Sequence, residues 1–183
     1  MSEPAARKGG LARWLPLALF GAFFALVLVG LMWPADRKVE SAMIGKPLPA
    51  FDLPQAVADR PALASSRFAD GKPRLLNIFA SWCIPCAEEA QQLEMLRRAG
   101  VEIDGVAVRD RPQDLQAFLA RYGNPYAAIG RDDRSRVQFD LGSSGVPETF
   151  VVDGTGVIRY QHLGPIMDSD IPVILDKLKE AGR

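Results

Sequence analysis

The residues of this chain best suited to chemistry are its two cysteines, Cys83 and Cys86, in the sequence Trp82-Cys83-Ile84-Pro85-Cys86. Thiols at this spacing exchange with disulfides, because a thiolate at the first cysteine attacks and the second cysteine resolves the mixed disulfide. We expect Cys83 to be the exposed nucleophile and Cys86 the more buried resolving thiol, with Trp82 beside them as a substrate contact. Pro85 has no N–H and a fixed φ, so it shapes the turn between the sulfurs.

The elements on either side of the cysteines decide whether this chemistry is available. Residues 74–80 (RLLNIFA) form a short apolar run typical of a buried strand, and residues 84–99 are rich in helix formers and end before Gly100. Cys83 then caps the helix, where free backbone N–H groups and the helix dipole stabilise a thiolate. A pair of inert buried thiols is the alternative, and two cysteines at this spacing, directly after Trp82, argue against it.

The rest of the chain after residue 43 alternates strand and helix patterns. The order β-α-β-α-β-β-α predicts an α/β fold, with a mixed β-sheet and helices on both faces. A Gly-containing turn at 153–156 predicts that the last two strands form a hairpin. The predicted segments are strands at 102–108, 149–152 and 157–162, a candidate short strand at 126–129, and helices at 112–122 and 168–181.

Composition excludes several classes of function. The chain has 183 residues, enough for one domain and an appendage, and its formal net charge of zero gives no basic excess for nucleic acid. Two cysteines cannot make a disulfide scaffold, and one histidine, His162, leaves too few ligands for a zinc site. A copper chaperone that uses both cysteines and His162 remains an alternative. We expect no cofactor, because the dithiol itself carries the electrons.

Residues 14–35 (WLPLALFGAFFALVLVGLMWPA) contain no charge and carry a tryptophan at or near each end. About 20 apolar residues span a bilayer as a helix, and the basic residues before this stretch predict a cytoplasmic N-terminus. A cleaved signal peptide is the alternative, although its apolar region is usually shorter. We therefore expect a protein of the bacterial inner membrane, with a cytoplasmic tail at 1–13, a transmembrane anchor at 14–35, a linker at 36–42 and a periplasmic domain at 43–183.

A second segment, residues 145–149 (GVPET), directly precedes the predicted strand 149–152. Thioredoxin-like folds place a cis proline opposite the C-x-x-C sequence and just before a strand, so we expect the bond between Val146 and Pro147 to be cis. The Val146 backbone would then offer strand-like hydrogen bonds to a substrate beside Cys83. An ordinary trans proline that opens a strand is the alternative.

Taken together, these segments resemble the cytochrome c maturation thioredoxins of the DsbE/CcmG type. The resemblance implies a thioredoxin-like fold and a periplasmic reductant that keeps the haem-binding cysteines of apocytochrome c reduced, directly or through another cytochrome c maturation protein. A transmembrane electron donor would re-reduce its disulfide. The matching segments are IGKP at 44–47, LLNI at 75–78, ASWC at 80–83, GNPYA at 123–127 and GVPETF at 145–150.

The resemblance also implies acidic residues near the active site, at positions matched by Glu89 and Glu148. A carboxylate near the sulfurs would raise the thiol pKa or relay a proton during exchange. The alternative for Glu89 is a solvated residue in the first helical turn. Asn77 stands where thioredoxins commonly have a buried acid, a difference that the family shares. Gln91 replaces a proline found in many family helices, so the helix kink is left open.

Two further functions remain alternatives. The chain could be a general periplasmic thiol reductase with wider substrates, or a binding module that holds apocytochrome or haem without turnover. A peroxidase of related fold is disfavoured, because its Pro-x-x-x-Thr-x-x-Cys sequence is absent. We expect a monomer.

Overall fold

The computed structural model describes residues 14–32 and 42–183. The chain divides into two units between Val39 and Glu40. In the first unit, helix α1 (Leu15–Met32) has exposed apolar side chains along its length. Within the described ranges, no helix combines the length and the apolarity needed to cross a membrane. The predicted tail at 1–13, the end of the predicted anchor and all but the last residue of the predicted linker lie outside the described residues.

The second unit is built on a five-stranded mixed sheet. Two short antiparallel strands, β1 (Asp52–Leu53) and β2 (Leu63–Ala64), precede it. The sheet has the order β5-β4-β3-β6-β7, in which β3, β4 and β5 are parallel and β6 is antiparallel to both of its neighbours. These strands are β3 (Arg74–Phe79), β4 (Ile103–Val108), β5 (Ala128–Asp132), β6 (Glu148–Val152) and β7 (Ile158–Leu163). Every residue of the central strand β3 is buried, including the polar Arg74 and Asn77, and its four apolar residues are buried as the sequence predicts.

Residues 42–183 contain five α-helices, which cover the two faces of the sheet unequally. The longer ones pack on one face, with a core that includes Leu93, Phe118 and Ile174. The other face is covered by β1, β2, a 3₁₀ turn at Ser65–Ala69 and one short helix, around Phe68 and Phe150. The predicted α/β fold with a mixed sheet is confirmed. The helices are α2 (Ile84–Glu88), α3 (Ala90–Arg98), α4 (Pro112–Tyr122), α5 (Arg136–Asp140) and α6 (Ile171–Ala181).

A buried cluster of ion pairs lies at the start of β3. Arg74 is 1% exposed, and its guanidinium lies 3.4 Å from the fully buried Asp104 and 2.8 Å from Glu102. Arg67 reaches the same Asp104 carboxylate at 3.0 Å. Asp104 therefore neutralises part of the charge of two arginines, one of which has almost no access to water.

Both outer strands of the sheet are hydrogen-bonded by one stretch of chain, residues 45–61, which we call the strap. At the β7 edge, Ile158 donates to the carbonyl of residue 46 at 3.0 Å and accepts from the N–H of residue 45 at 2.7 Å. At the β5 edge, Ile129 donates to the carbonyl of residue 61 and accepts from the N–H of residue 56, both at 3.1 Å. The strap therefore satisfies backbone groups of both edge strands.

Candidate active site

The two cysteines lie just after the carboxyl end of β3, at the start of α2. Their sulfur atoms form a disulfide of 2.09 Å, and their Cα atoms are 5.3 Å apart. Cys83 is the N-cap of α2 with an extended backbone, and its sulfur accepts a hydrogen bond of 3.1 Å from the Cys86 N–H. The prediction that Cys83 caps the helix is confirmed. The same N–H would stabilise a thiolate at Cys83 once the disulfide opens.

Exposure at the disulfide differs from the prediction. Cys83 is only 5% exposed, against 3% for Cys86, so the expectation of an exposed Cys83 is wrong for the disulfide form. The reason is that the Cys83 sulfur is bonded to Cys86 and packs within the apolar core. The flanking side chains of Trp82 and Ile84 are 58% and 77% exposed. They form an exposed apolar surface next to the disulfide.

Three hydrogen bonds join the active-site loop, residues 80–83 between β3 and α2, to the chain at the end of β4. The Trp82 indole N–H donates to the Val108 carbonyl at 3.3 Å. The Asp110 carboxylate accepts from both the N–H and the hydroxyl of Ser81, each at 2.6 Å. Ser81 and Asp110 were not among the predicted site residues. Their position at the ends of two adjacent parallel strands is the signal that could have identified the pair.

The Val146–Pro147 peptide bond is cis, as the sequence predicts. It directly precedes β6, whose first residue, Glu148, pairs with Ile78 near the end of β3. The disulfide and the cis bond therefore lie at the same end of the sheet. Val146 is half-buried and packs against the apolar clusters on both faces. Its contact with a substrate backbone stays a prediction.

Glu89 lies fully buried beneath the active-site helix. Its Oε1 accepts from the Asn77 amide at 3.0 Å, and its Oε2 accepts from the Ile166 N–H at 3.0 Å. Burial raises the pKa of Glu89 from 4.5 to about 7, and the two hydrogen bonds oppose this rise only in part. The alternative of a solvated Glu89 is wrong, because this side chain points into the core, where it meets buried donors.

The same residue interrupts the helix. The segment predicted as one helix over 84–99 is divided at Glu89, the single residue between α2 and α3. Its N–H still donates to the Pro85 carbonyl at 3.2 Å, and its carbonyl still accepts from Leu93 at 3.0 Å. The helix is thus interrupted two residues before Gln91, without the proline that many family members carry there.

Asn77 connects Glu89 to two further polar side chains in the core. Its amide N–H₂ also donates to the Thr149 hydroxyl at 2.9 Å, and its carbonyl oxygen accepts from the Tyr126 hydroxyl at 2.8 Å. Burial raises the Tyr126 pKa well above 10, and the nearby Glu89 carboxyl adds to this effect. The sequence did not single out Tyr126 or the side chain of Thr149 as parts of this network, which surrounds the carboxyl one helical turn beyond Cys86.

Glu148 lies on the opposite face of the sheet from Glu89. It is 1% exposed, and its Oε1 accepts from the side-chain amide of Gln161. The second carboxyl oxygen of Glu148 and the amide oxygen of Gln161 are buried without a hydrogen-bond partner among residues 14–32 and 42–183. Burial raises the pKa of Glu148, and the hydrogen bonds that this carboxyl accepts lower it only in part. Both predicted carboxylates therefore lie near the end of β3 that leads to Cys83, in surroundings that favour the protonated acid.

His162 occupies a position on β7 as the sequence predicts. Its Nε2 lies 3.3 Å from the Pro165 carbonyl and 3.7 Å from the Asp170 carboxylate. In the described part of the chain, no group of three or more His, Cys, Asp or Glu side chains is placed to hold a metal ion.

The comparisons with known proteins agree with this geometry. The Redoxin family model matches residues 43–178. The thiol:disulfide interchange protein HelX of Rhodobacter capsulatus is 37% identical over 165 residues, which cover 90% of this chain and 93% of the relative. The thiol:disulfide interchange protein DsbE of Escherichia coli K12 is 38% identical over 156 residues, or 83% of this chain and 84% of the relative.

Solved structures support the fold. The crystal structure of a putative thiol:disulfide interchange protein DsbE from Chlorobium tepidum has a TM-score of 0.61 and 23% identity, covering 76% of this chain and 98% of that chain. A secreted thiol-disulfide isomerase from Corynebacterium glutamicum has a TM-score of 0.63 and 21% identity, covering 80% and 96%. With the capped Cys83–Cys86 disulfide and the cis proline at the same end of the sheet, these matches show that the chain belongs to the redoxin family, as a thioredoxin-like thiol–disulfide oxidoreductase of the DsbE/CcmG type.

Proposed function

We propose that this oxidoreductase works as a reductant in cytochrome c biogenesis. It keeps the haem-binding cysteines of apocytochrome c reduced, directly or through another cytochrome c maturation protein. Cys83 attacks the substrate disulfide and Cys86 resolves the mixed disulfide, so two electrons pass to the substrate and the chain is left oxidised. A transmembrane electron donor then reduces the chain again. The motifs shared with the cytochrome c maturation thioredoxins support this assignment.

The burial of Glu89 one helical turn beyond Cys86 is the observation that carries the reductant role. A thioredoxin-like protein becomes a strong oxidant when its reduced form is strongly stabilised, as by a very low thiol pKa. A carboxylate near the sulfurs has the opposite effect, because its charge disfavours a neighbouring thiolate. With its pKa raised to about 7, Glu89 is ionised in part of the molecules near neutral pH, and in that form it favours a disulfide that is hard to reduce, and hence a dithiol that gives up its electrons readily.

The proposal places the enzyme at the inner membrane, with a cytoplasmic N-terminus and a periplasmic catalytic domain that acts as a monomer. The uncharged stretch at 14–35 and the exposed apolar side chains of α1 support an anchor there. A domain anchored in this way would meet a membrane-embedded electron donor and newly exported apocytochrome at the periplasmic surface of the inner membrane.

A redox titration of the 183-residue chain in detergent tests the reductant role, with glutathione or dithiothreitol buffers and the change in total tryptophan fluorescence as the signal, since Trp82 is next to Cys83. We expect one two-electron transition near the thioredoxin potential of about −270 mV, absent in Cys83→Ser. A potential near that of DsbA, about −120 mV, would mean that the chain forms disulfides and would refute the proposal. Absence of any transition would support a binding module instead.

A genetic comparison separates the cytochrome role from a general periplasmic reductase. Deletion of the gene should abolish covalent haem attachment to c-type cytochromes while other periplasmic disulfide proteins keep their normal thiol state. Complementation by the wild-type chain, but not by Cys83→Ser, is the control. Broad disulfide defects in the deletion strain would favour the general reductase.

A further inference from the structure

A groove of about 690 Å³ lies next to the active-site loop. Ser81 and Trp82, the two residues before Cys83, contribute to its lining from one side. Phe118 and Tyr122 contribute from α4. The groove therefore begins at the exposed indole that flanks the disulfide and extends along an aromatic surface of α4.

The charges of this groove are unevenly matched. Its lining includes three arginines, of which Arg111 pairs with Asp114 at 2.5 Å. The buried Asp110 uses both carboxyl oxygens to bind Ser81. Arg109 and Arg121 are exposed, and neither lies within ion-pair distance of a carboxylate in the part of the chain that the structure describes. Two guanidinium groups are thus available to an anion from outside.

The loop that carries Arg109 is hydrogen-bonded to the active-site loop. Arg109 has a backbone φ of 47°, a left-handed conformation that few non-glycine residues adopt. It is held there by its own N–H, which donates to the Asp132 carbonyl at 3.1 Å, and by the hydrogen bonds of the next residue, Asp110, to Ser81. An uncommon backbone conformation that neighbouring contacts enforce is typical of binding sites. The Arg109 backbone is therefore fixed relative to Cys83.

We propose that this groove binds an acidic side chain of the disulfide-bearing polypeptide substrate, close in sequence to the cysteine that Cys83 attacks. Arginine forms two parallel hydrogen bonds to a carboxylate, and aromatic side chains accommodate the backbone beside it. The occupant is a polypeptide because the groove begins at Trp82, the residue next to Cys83, so a chain whose sulfur reaches Cys83 can extend into it. The two unmatched arginines also accelerate the encounter with an acidic segment.

This proposal rests on the thiol–disulfide exchange activity and is independent of the cytochrome assignment. Synthetic peptides therefore test it directly. Each peptide carries the same intramolecular disulfide, and one position flanking a cysteine is Glu, Gln or Lys. The chain is reduced, freed of reductant and mixed with each peptide, and the second-order rate constant of the single turnover is followed by Trp82 fluorescence. In this step the dithiol becomes a disulfide and the peptide disulfide becomes a dithiol.

At low salt we expect the Glu peptide at the best flanking position to react about tenfold faster than the Gln peptide, a difference of about 1.4 kcal/mol. The ratio should fall toward one in the double variant Arg109→Gln, Arg121→Gln, while Arg109→Lys should retain most of it. Arg134→Gln is the matched control, because Arg134 is exposed and lies outside the groove. In 1 M salt the preference should be largely lost, because the Debye length falls to about 3 Å.

Equal rates for Glu and Gln peptides at every flanking position would overturn the proposal. So would a preference for Glu that persists in the double variant. Because both arginines are exposed, the double variant should remain folded, which its far-UV circular dichroism and its free energy of unfolding would verify. A wild-type chain that reduces none of the peptides would refute the exchange activity as well, which distinguishes the two failures.

Discussion

Replacement of Glu89 by glutamine removes a buried carboxyl that titrates near neutral pH, and with it a pH-dependent part of the free energy of unfolding. The pKa is about 7 in the folded chain, against 4.5 for the reference carboxyl. Well below pH 4.5 the acid is protonated in both states and does not change the free energy of unfolding with pH. As the pH rises, the unfolded chain ionises first, so the folded state loses stability until the pH passes the folded pKa.

The size of this effect follows from the separation of the two pKa values. They differ by about 2.5 pH units, and each unit corresponds to about 1.4 kcal/mol, so Glu89 should cost the folded state about 3 kcal/mol between pH 4 and pH 8. In Glu89→Gln this loss should disappear. Glutamine has only one acceptor oxygen for the two donors that face it, so the variant should also carry a constant penalty of about 1–3 kcal/mol.

Denaturant unfolding of the oxidised unit Glu40–Arg183 at several pH values measures both effects. The free energy of unfolding of wild type minus that of Glu89→Gln should fall by about 3 kcal/mol from pH 4 to pH 8. Glu88→Gln is the matched control, because Glu88 is the preceding residue and is exposed. A difference that stays flat across this pH range would refute a titrating buried Glu89. If the exchange rate of the variant also kept the wild-type pH profile, a proton relay through Glu89 would be excluded.

Three further predictions concern the sulfurs and the core. Cys86→Ser should accumulate a mixed disulfide between substrate and the remaining cysteine, which mass spectrometry detects, because the resolving thiol is missing; rapid turnover without the adduct would contradict this role. Gly154→Ala should lower the free energy of unfolding by about 1–3 kcal/mol, because the new Cβ would lie 2.3 Å from the backbone carbonyl carbon of Gly71. Gly145→Ala is the control: a Cβ at Gly145 would have no non-neighbouring atom within 4 Å, so this variant should be close to neutral in the same denaturant assay. Asp104→Asn should lower the free energy of unfolding by about 3 kcal/mol, because the buried Arg74 loses one of its charged partners. Asp133→Asn, which removes an exposed ion pair with Arg131, should lower it by less than about 1 kcal/mol. Equal costs for the two aspartates would contradict the buried ion cluster.

The predicted central elements agree with the structure because their signals are local. The buried run that became β3 and the helix-forming segment after it fix where Cys83 lies, and the GVPET segment fixes the position of Pro147. These features depend on side-chain pattern and turn chemistry within a few residues. The strand predicted at 126–129 is instead observed at Ala128–Asp132, a shift of the size expected at element ends.

The parts that sequence analysis missed depend on contacts between distant residues. The two-residue strands β1 and β2 and the five-residue helix α5 are too short to show a periodic pattern. The burial of Glu89 is decided by the N–H of Ile166, 77 residues away, and by Asn77 on the neighbouring strand. The polar Asn77 among the apolar residues that follow Arg74 in a buried strand was the one local sign that a buried polar partner was needed here.

The strap has a consequence for how this domain avoids pairing with other copies of itself. Free edge strands offer unpaired N–H and C=O groups that recruit strands from other molecules, and here residues 45–61 occupy positions on both outer strands of the sheet. Because these residues are contiguous, proteolysis or truncation that removes them would uncover both edges at once. A version of the chain that begins after residue 61 should therefore associate edge to edge, whereas one that begins at Glu40 retains the hydrogen bonds of the strap to both outer strands.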